Sequence, residues 1–144
     1  MSRYQKRVGM TLVELIVVIL IISILASLAI PQYFRALEKT RAGEVAAYMG
    51  SVRRAQDRFS IKFTVYCNDA NSLDIPLLQT KYFNNAFVLT NGAVATTGWQ
   101  ATFTRLASPM PPAPYTAGYT VIFNSLTGNF TSSDANVTRD LLPQ

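Results

Sequence analysis

The sequence predicts an α+β fold: a long bent N-terminal helix, half apolar and half amphipathic, packed on a small antiparallel β-sheet. Three features carry that expectation. From Leu15 to Ile30 every residue is aliphatic except Ser23 and Ser27. From Phe34 to Phe63 apolar residues recur at steps of three and four. Beyond Cys67 the pattern changes to short β-branched and aromatic runs punctuated by Asn-Gly and Thr-Gly pairs. A chain of 144 residues has room for one such domain plus an accessory segment.

Residues 1–9 are short, polar and basic, with Arg3, Lys6 and Arg7, and they end in Gly9. A secretory signal would put its small-residue cut after the apolar run, whereas Gly9 precedes it. Ala26 and Ala29 offer later cut sites, but Pro31 and the helical continuation argue against them.

Residues 10–30 form the apolar segment, which at about 1.5 Å per residue spans about 31 Å, the thickness of a bilayer core. Fourteen Leu, Ile and Val lie between Leu12 and Ile30. Together they favour insertion by about 4–8 kcal/mol. The one carboxylate, Glu14, opposes this by about 3 kcal/mol at most. Insertion therefore wins. The basic residues Arg3, Lys6 and Arg7 are balanced by Arg35, Lys39 and Arg41 downstream. The α-amine tips the orientation toward a cytoplasmic N-terminus.

Residues 31–63 continue the helix as an amphipathic segment. Phe34, Leu37, Val45, Tyr48, Met49, Val52, Ala55, Phe59 and Phe63 make one stripe, and Arg35, Lys39, Arg53, Asp57 and Lys62 fall off it. Pro31 lacks a backbone donor and is the expected kink. Gly43 and Gly50 each weaken the helix by about 1 kcal/mol. Residues 64–144 form the sheet domain, opened by a loop to Tyr82 with one helical turn. Strands are expected at Ala86–Thr90, Trp99–Arg105, Tyr119–Asn124 and Asn129–Thr131. Asn91-Gly92, Thr97-Gly98 and Thr127-Gly128 mark the turns between them. Ser108–Pro114 holds four prolines and is excluded from any central strand.

Composition narrows the function classes. Three of the thirteen Lys and Arg lie in residues 1–9; without them ten face eight acids, a net of +2, a weak footprint for nucleic acid. There is no His and one Cys, so the commonest general base and metal ligand and any intrachain disulfide are missing together. No Gly-rich phosphate loop or paired-acid motif is present, and no enzyme, cofactor or metal site is predicted.

The informative stretch is Lys6-Arg7-Val8-Gly9-Met10-Thr11-Leu12-Val13-Glu14-Leu15, followed by the aliphatic run and Pro31. A cut after Gly9 would expose Met10 with a cationic amine, and Glu14 would lie one helical turn away on the same face. A carboxylate in an apolar run needs a partner, either that amine or a neighbouring chain's.

These residues resemble a type IV prepilin, strongly from Arg3 to about Pro31 and loosely beyond. The resemblance implies a pilin fold, with leader 1–9, cleavage between Gly9 and Met10 by a membrane prepilin peptidase, and N-methylation of Met10. It implies that Glu14 sets register between subunits and that Pro31 ends a stretch able to melt as helices pack. The partners implied are further copies in a helical homopolymer, an inner-membrane assembly platform and, before assembly, membrane lipid. The precursor would sit in the inner membrane and the assembled subunit in a surface filament serving adhesion, motility or DNA uptake. Met10 stands where phenylalanine is commoner, and the paired C-terminal cysteines of many pilins are missing. The short leader and the 135 residues from Met10 onward look like the type IVa class.

The nearest alternative is a pseudopilin of a type II secretion system, many of which carry an acidic calcium-binding C-terminal loop. Asp69, Asp74, Asp134 and Asp140 are the acids available for such a site, but they are scattered. An uncleaved membrane-anchored binding domain is the alternative from a different class. Arg53, Arg54, Arg58 and Lys62 are the residues a nucleic acid would meet, and a solvated helix face is their plainer account. Tyr33, Phe34, Tyr48, Phe59 and Phe63 read as core packing before an electron-transfer chain, and Cys67 as a small buried residue.

Overall fold

The computed structural model describes residues 10–90 and 98–143. Residues 1–9, with Gly9 and the basic leader, lie outside the described residues, as do the Asn91-Gly92 turn and Thr97. The chain divides into two compact units, one ending at Phe34 and one running from Arg35. Helix α1, Leu12–Phe63, contributes 52 residues and belongs to both. It is unbroken at Pro31, whose missing N–H leaves the Ser27 carbonyl without its usual helical donor.

In the first unit no described residue is buried. Its apolar side chains stand open, Leu12 at 73% and Leu28 at 68% exposed. The helix is long and apolar enough to cross a membrane. Its two serines are satisfied within it: Ser23 Oγ donates to the Leu20 carbonyl at 2.8 Å and Ser27 Oγ to the Ile24 carbonyl at 2.7 Å. In hydrocarbon, where no water can serve them, that internal bonding is the requirement.

In the second unit the remainder of α1 buries Glu38, Ala42, Val45, Met49, Val52, Ala55 and Gln56, at steps of three and four along a single face that widens at Ala55 and Gln56. Val45, Met49, Val52 and Ala55 take the core places expected of them. Tyr48 and Phe59 pack at its margin, and Phe34 and Phe63 stay about half exposed. The aromatic stripe is thus rotated partly outward, and two polar residues fill the ends of the buried face.

That face packs on a four-stranded antiparallel sheet whose strands follow chain order. They are β1 Val88–Thr90, β2 Gln100–Thr104, β3 Thr120–Asn124 and β4 Phe130–Ser132. All four expected strands are present. β1 starts two residues late, β2 loses Trp99 and Arg105 from its ends, β3 begins at Thr120, and β4 is shifted by one. Alternation puts Leu89, Ala101, Phe103, Val121 and Phe123 inside. Phe103 lies opposite Val121, and Phe123 opposite Phe130. Phe87 stacks on Phe103 at 4.9 Å, and Tyr48 of α1 meets both rings edge-on.

The turns follow their glycines. Gly98 has φ 65°, and a Cβ there would come within 2.5 Å of Leu126 Cγ. Gly128, at φ 73°, closes the β3–β4 hairpin by donating to the Asn124 carbonyl at 2.9 Å. The loop after α1 has its helical turn at Ala70–Ser72. Gln56 ties that loop down through both backbone groups of buried Cys67, each at 2.8 Å.

One element was not expected: α2, Ala135–Asp140, follows β4. Asp134 caps it, accepting from the Asn136 N–H at 2.8 Å, and Val137, Leu141 and Leu142 fold into the core. The C-terminal stretch is held by packing and by Asp134, whose other oxygen accepts from the Thr116 N–H and hydroxyl.

Because Phe103 is fully buried between helix and sheet, Phe103→Ala should cost about 3–5 kcal/mol. Urea unfolding followed by the fluorescence of Trp99 would measure it.

Candidate assembly site

Of the N-terminal candidate residues, Met10 and Glu14 lie at the start of α1, while Gly9 falls outside the described residues. Thr11 is the cap: its Oγ1 accepts from the Glu14 N–H at 3.2 Å. Glu14 returns the bond, its Oε2 accepting from the Thr11 N–H at 2.7 Å and the Thr11 hydroxyl at 2.8 Å. This reciprocal pair is a capping box, with Glu14 at the third helical position. It also puts a negative charge at the positive end of the helix dipole. Both residues are exposed, as is Met10 at 66%. Among the described residues no hydrogen bond reaches the second carboxylate oxygen of Glu14. The carboxylate is therefore held in place by its own chain while one oxygen faces outward. The spacing Thr-x-x-Glu was present in the sequence and is the signal for this arrangement.

A second cluster escaped sequence reasoning entirely. Glu38 and Arg105 are both fully buried. Arg105 Nε donates to Glu38 Oε1 at 2.8 Å and its Nη2 to Oε2 at 3.4 Å. Tyr119 Oη donates to Oε1 at 2.8 Å, and Arg41 Nη1 to Oε2 at 2.8 Å. The remaining guanidinium N–H groups go to backbone carbonyls: Tyr82 at 3.1 Å, Leu106 at 2.8 Å and Pro109 at 3.2 Å. Arg41 also lies over the Tyr82 ring, 4.1 Å from its centre. Burial works to raise the Glu38 pKa, but the hydrogen bonds from Arg105, Tyr119 and Arg41 outweigh it and hold the carboxyl below its usual range. Burial and the adjacent carboxylate push the Tyr119 hydroxyl far up.

The other candidates stand apart. Arg53, Arg54 and Lys62 are exposed on the helix, and Arg58 pairs with Asp74 at 2.6 Å. Asp69 caps the Ala70–Ser72 turn, Asp134 caps α2, and Asp140 pairs with Arg139. No three potential metal ligands come together among the described residues.

Removing one partner of the buried pair strands the other. Arg105→Met should destabilise the unit by about 3–5 kcal/mol, and Glu38→Met with Arg105→Met by less than the two single losses combined. The folded-state pKa of Glu38 is depressed, so its contribution is present above the unfolded value of about 4.5 and is lost as pH falls through the folded value. Unfolding free energy should therefore drop on acidification below about pH 4.5, with a flatter dependence in Glu38→Gln. Urea titrations across pH would test this.

Residues 6–30 match the family described as the prokaryotic N-terminal methylation motif. No curated protein and no solved structure matches the chain. The matched span includes Met10, Thr11 and Glu14 and covers the apolar part of α1 up to Ile30. The chain thus carries the signature of the type IV pilins and pseudopilins, on the α+β architecture of the pilin fold.

Proposed function

We propose that this chain is a structural subunit of a type IV pilus, made as a membrane-anchored precursor and polymerised through its N-terminal helix into a surface filament. The observation that carries the reading is the methylation motif over residues 6–30, coinciding with an apolar stretch of α1 in which no described residue is buried. Such a surface suits lipid before assembly and neighbouring helices after it.

In this reading residues 1–9 are the leader, a prepilin peptidase cuts between Gly9 and Met10, and the new Met10 amine is methylated. The capped geometry gives Glu14 a definite role. With Thr11 fixing one carboxylate oxygen, the other is presented to an ammonium group, and a neighbour's N-terminus sets the register. Pro31 interrupts the hydrogen-bond ladder where the apolar half ends, giving a place for the helix to bend or loosen during packing. Residues 31–63 then support the head, and 64–144 form its outer surface. The assembly platform would act on the membrane-held precursor.

The pilin reading is favoured over a pseudopilin by the C-terminal acids. Asp134 spends its oxygens on Thr116 and Asn136, and Asp140 is engaged by Arg139, so both are committed to holding the chain's end. A structural role is what these residues support.

Mass spectrometry of the N-terminal peptide from sheared surface filaments is the direct test. A peptide beginning at N-methylated Met10 is the expected result. A chain retaining Met1 or Ser2, found only in the membrane fraction, would overturn the filament reading. Glu14→Gln should still insert and be cleaved, yet filament yield should fall sharply. Thr11→Val should lower yield less, with Thr11→Ser restoring it, as judged by immunoblots of sheared material.

A further inference from the structure

We propose that Tyr33 and Phe34 are an interfacial anchor seated in the lipid headgroup layer. With Glu14 at the opposite end of the apolar helix, this aromatic pair fixes how deep the helix sits in a phospholipid bilayer. The inference rests on the reading of residues 10–30 as a bilayer span and concerns the first unit alone.

The signal is the place where aromatic residues begin. Residues 10–32 contain none, and Tyr33 and Phe34 then close the unit. Tyr33 is 62% and Phe34 48% exposed, and their rings meet edge-on with centroids 5.9 Å apart. Neither ring is buried, so the core role expected of them is not what holds them. Consecutive helical positions point about 100° apart, so the pair covers a broad arc of the helix. Among the described residues no hydrogen bond reaches the Tyr33 hydroxyl. Exposed rings with one polar tip, just past an aliphatic run, have the chemistry of a bilayer interface, with apolar bodies toward acyl chains and the hydroxyl toward water.

The distances agree. Tyr33 follows Ile30 by three residues and Phe34 by four, about 4.5 and 6 Å of helical rise. The headgroup layer beyond a hydrocarbon core is about 5–8 Å deep on each side, so both rings fall within it. Tyr33 follows Glu14 by nineteen residues, about 29 Å of rise against a core about 30 Å thick. The helix can therefore set the Glu14 carboxylate at one face of the core and the aromatic pair at the other.

Two placements compete. Centring residues 10–30 puts Leu20 at the midplane and draws Glu14 about 6 Å into hydrocarbon. Centring the interval from Glu14 to Tyr33 puts the midplane between Ser23 and Ile24. The second placement spares the carboxylate, which holds only the Thr11 donors on one oxygen. It is available because the residues that reach the far interface are aromatic, the type that layer favours. The match of this interval to hydrocarbon thickness selects lipid, rather than a second copy of the chain, as the occupant.

The test uses the full chain in phosphatidylcholine vesicles. In a Cys67→Ala background, with folding checked by Trp99 fluorescence, single spin labels are placed at Ile16→Cys, Leu20→Cys, Ile24→Cys, Leu28→Cys and Gln32→Cys. The readout is accessibility to oxygen relative to a water-soluble nickel chelate, which reports depth whichever way the helix inserts. The label at 24 should read deepest, and the label at 32 should read as interfacial. With Tyr33→Ser and Phe34→Ser the deepest position should move toward 20, a shift of up to about 6 Å. Tyr33→Trp with Phe34→Trp should keep it at 24. A deepest reading at 20 in the unsubstituted span, with 32 aqueous, would overturn the proposal and leave the span intact. A deepest reading that stays at 24 in the serine variant would also overturn it, assigning the depth to Glu14 alone. If no label reads deep, the span reading fails and the proposal with it.

Discussion

A carboxylate taken out of water must be met by donors, and Glu38 is met by three side chains from three parts of the chain. Arg41 comes from its own helix, Arg105 from just past β2, and Tyr119 from the residue before β3. The sheet can approach α1 at this level only if all three arrive together, because any absent donor leaves a charge desolvated. The aromatic layer of Tyr48, Phe87 and Phe103 is tolerant by comparison, since apolar contacts have no direction. The ion cluster fixes which faces meet, and the apolar core supplies burial that has no direction of its own.

The first unit obeys the opposite constraint. It buries none of its large apolar side chains within this chain, yet it leaves few polar groups without partners of its own. Ser23 and Ser27 bond back along the helix, and Thr11 and Glu14 serve each other. The serine hydroxyls can pass from lipid to protein surroundings without a change of internal bonding, whereas the second Glu14 oxygen still calls for an outside donor. The exception is the Ser27 carbonyl opposite Pro31, which marks the one point of the segment's backbone ladder where a donor is lacking.

The parts of the fold that follow from periodicity were legible in the residues. The extent of α1 and the number and approximate places of the strands come from apolar spacing and turn residues, which act locally. The parts that depend on distant partners were not. Glu38 and Gln56 occupy core positions that an apolar pattern passes over, and Arg105 is matched to Glu38 across 67 positions of sequence. Helix α2 is short and weakly patterned, so its only local sign was the capping residue Asp134, which served equally well as a candidate metal ligand. At the N-terminus the motif singled out Glu14, while the role of Thr11 as its holder needed the cap geometry.

Arg105 has five N–H bonds, and every one is directed to an acceptor: two to the carboxylate and three to carbonyls of Tyr82, Leu106 and Pro109. A lysine at this position would keep the charge but could serve at most three of those five acceptors. The position is therefore closed to the substitution that charge alone would permit. Drift around the cluster is constrained by valence, and the loop after β2 must keep the carbonyls of Leu106 and Pro109 in their places.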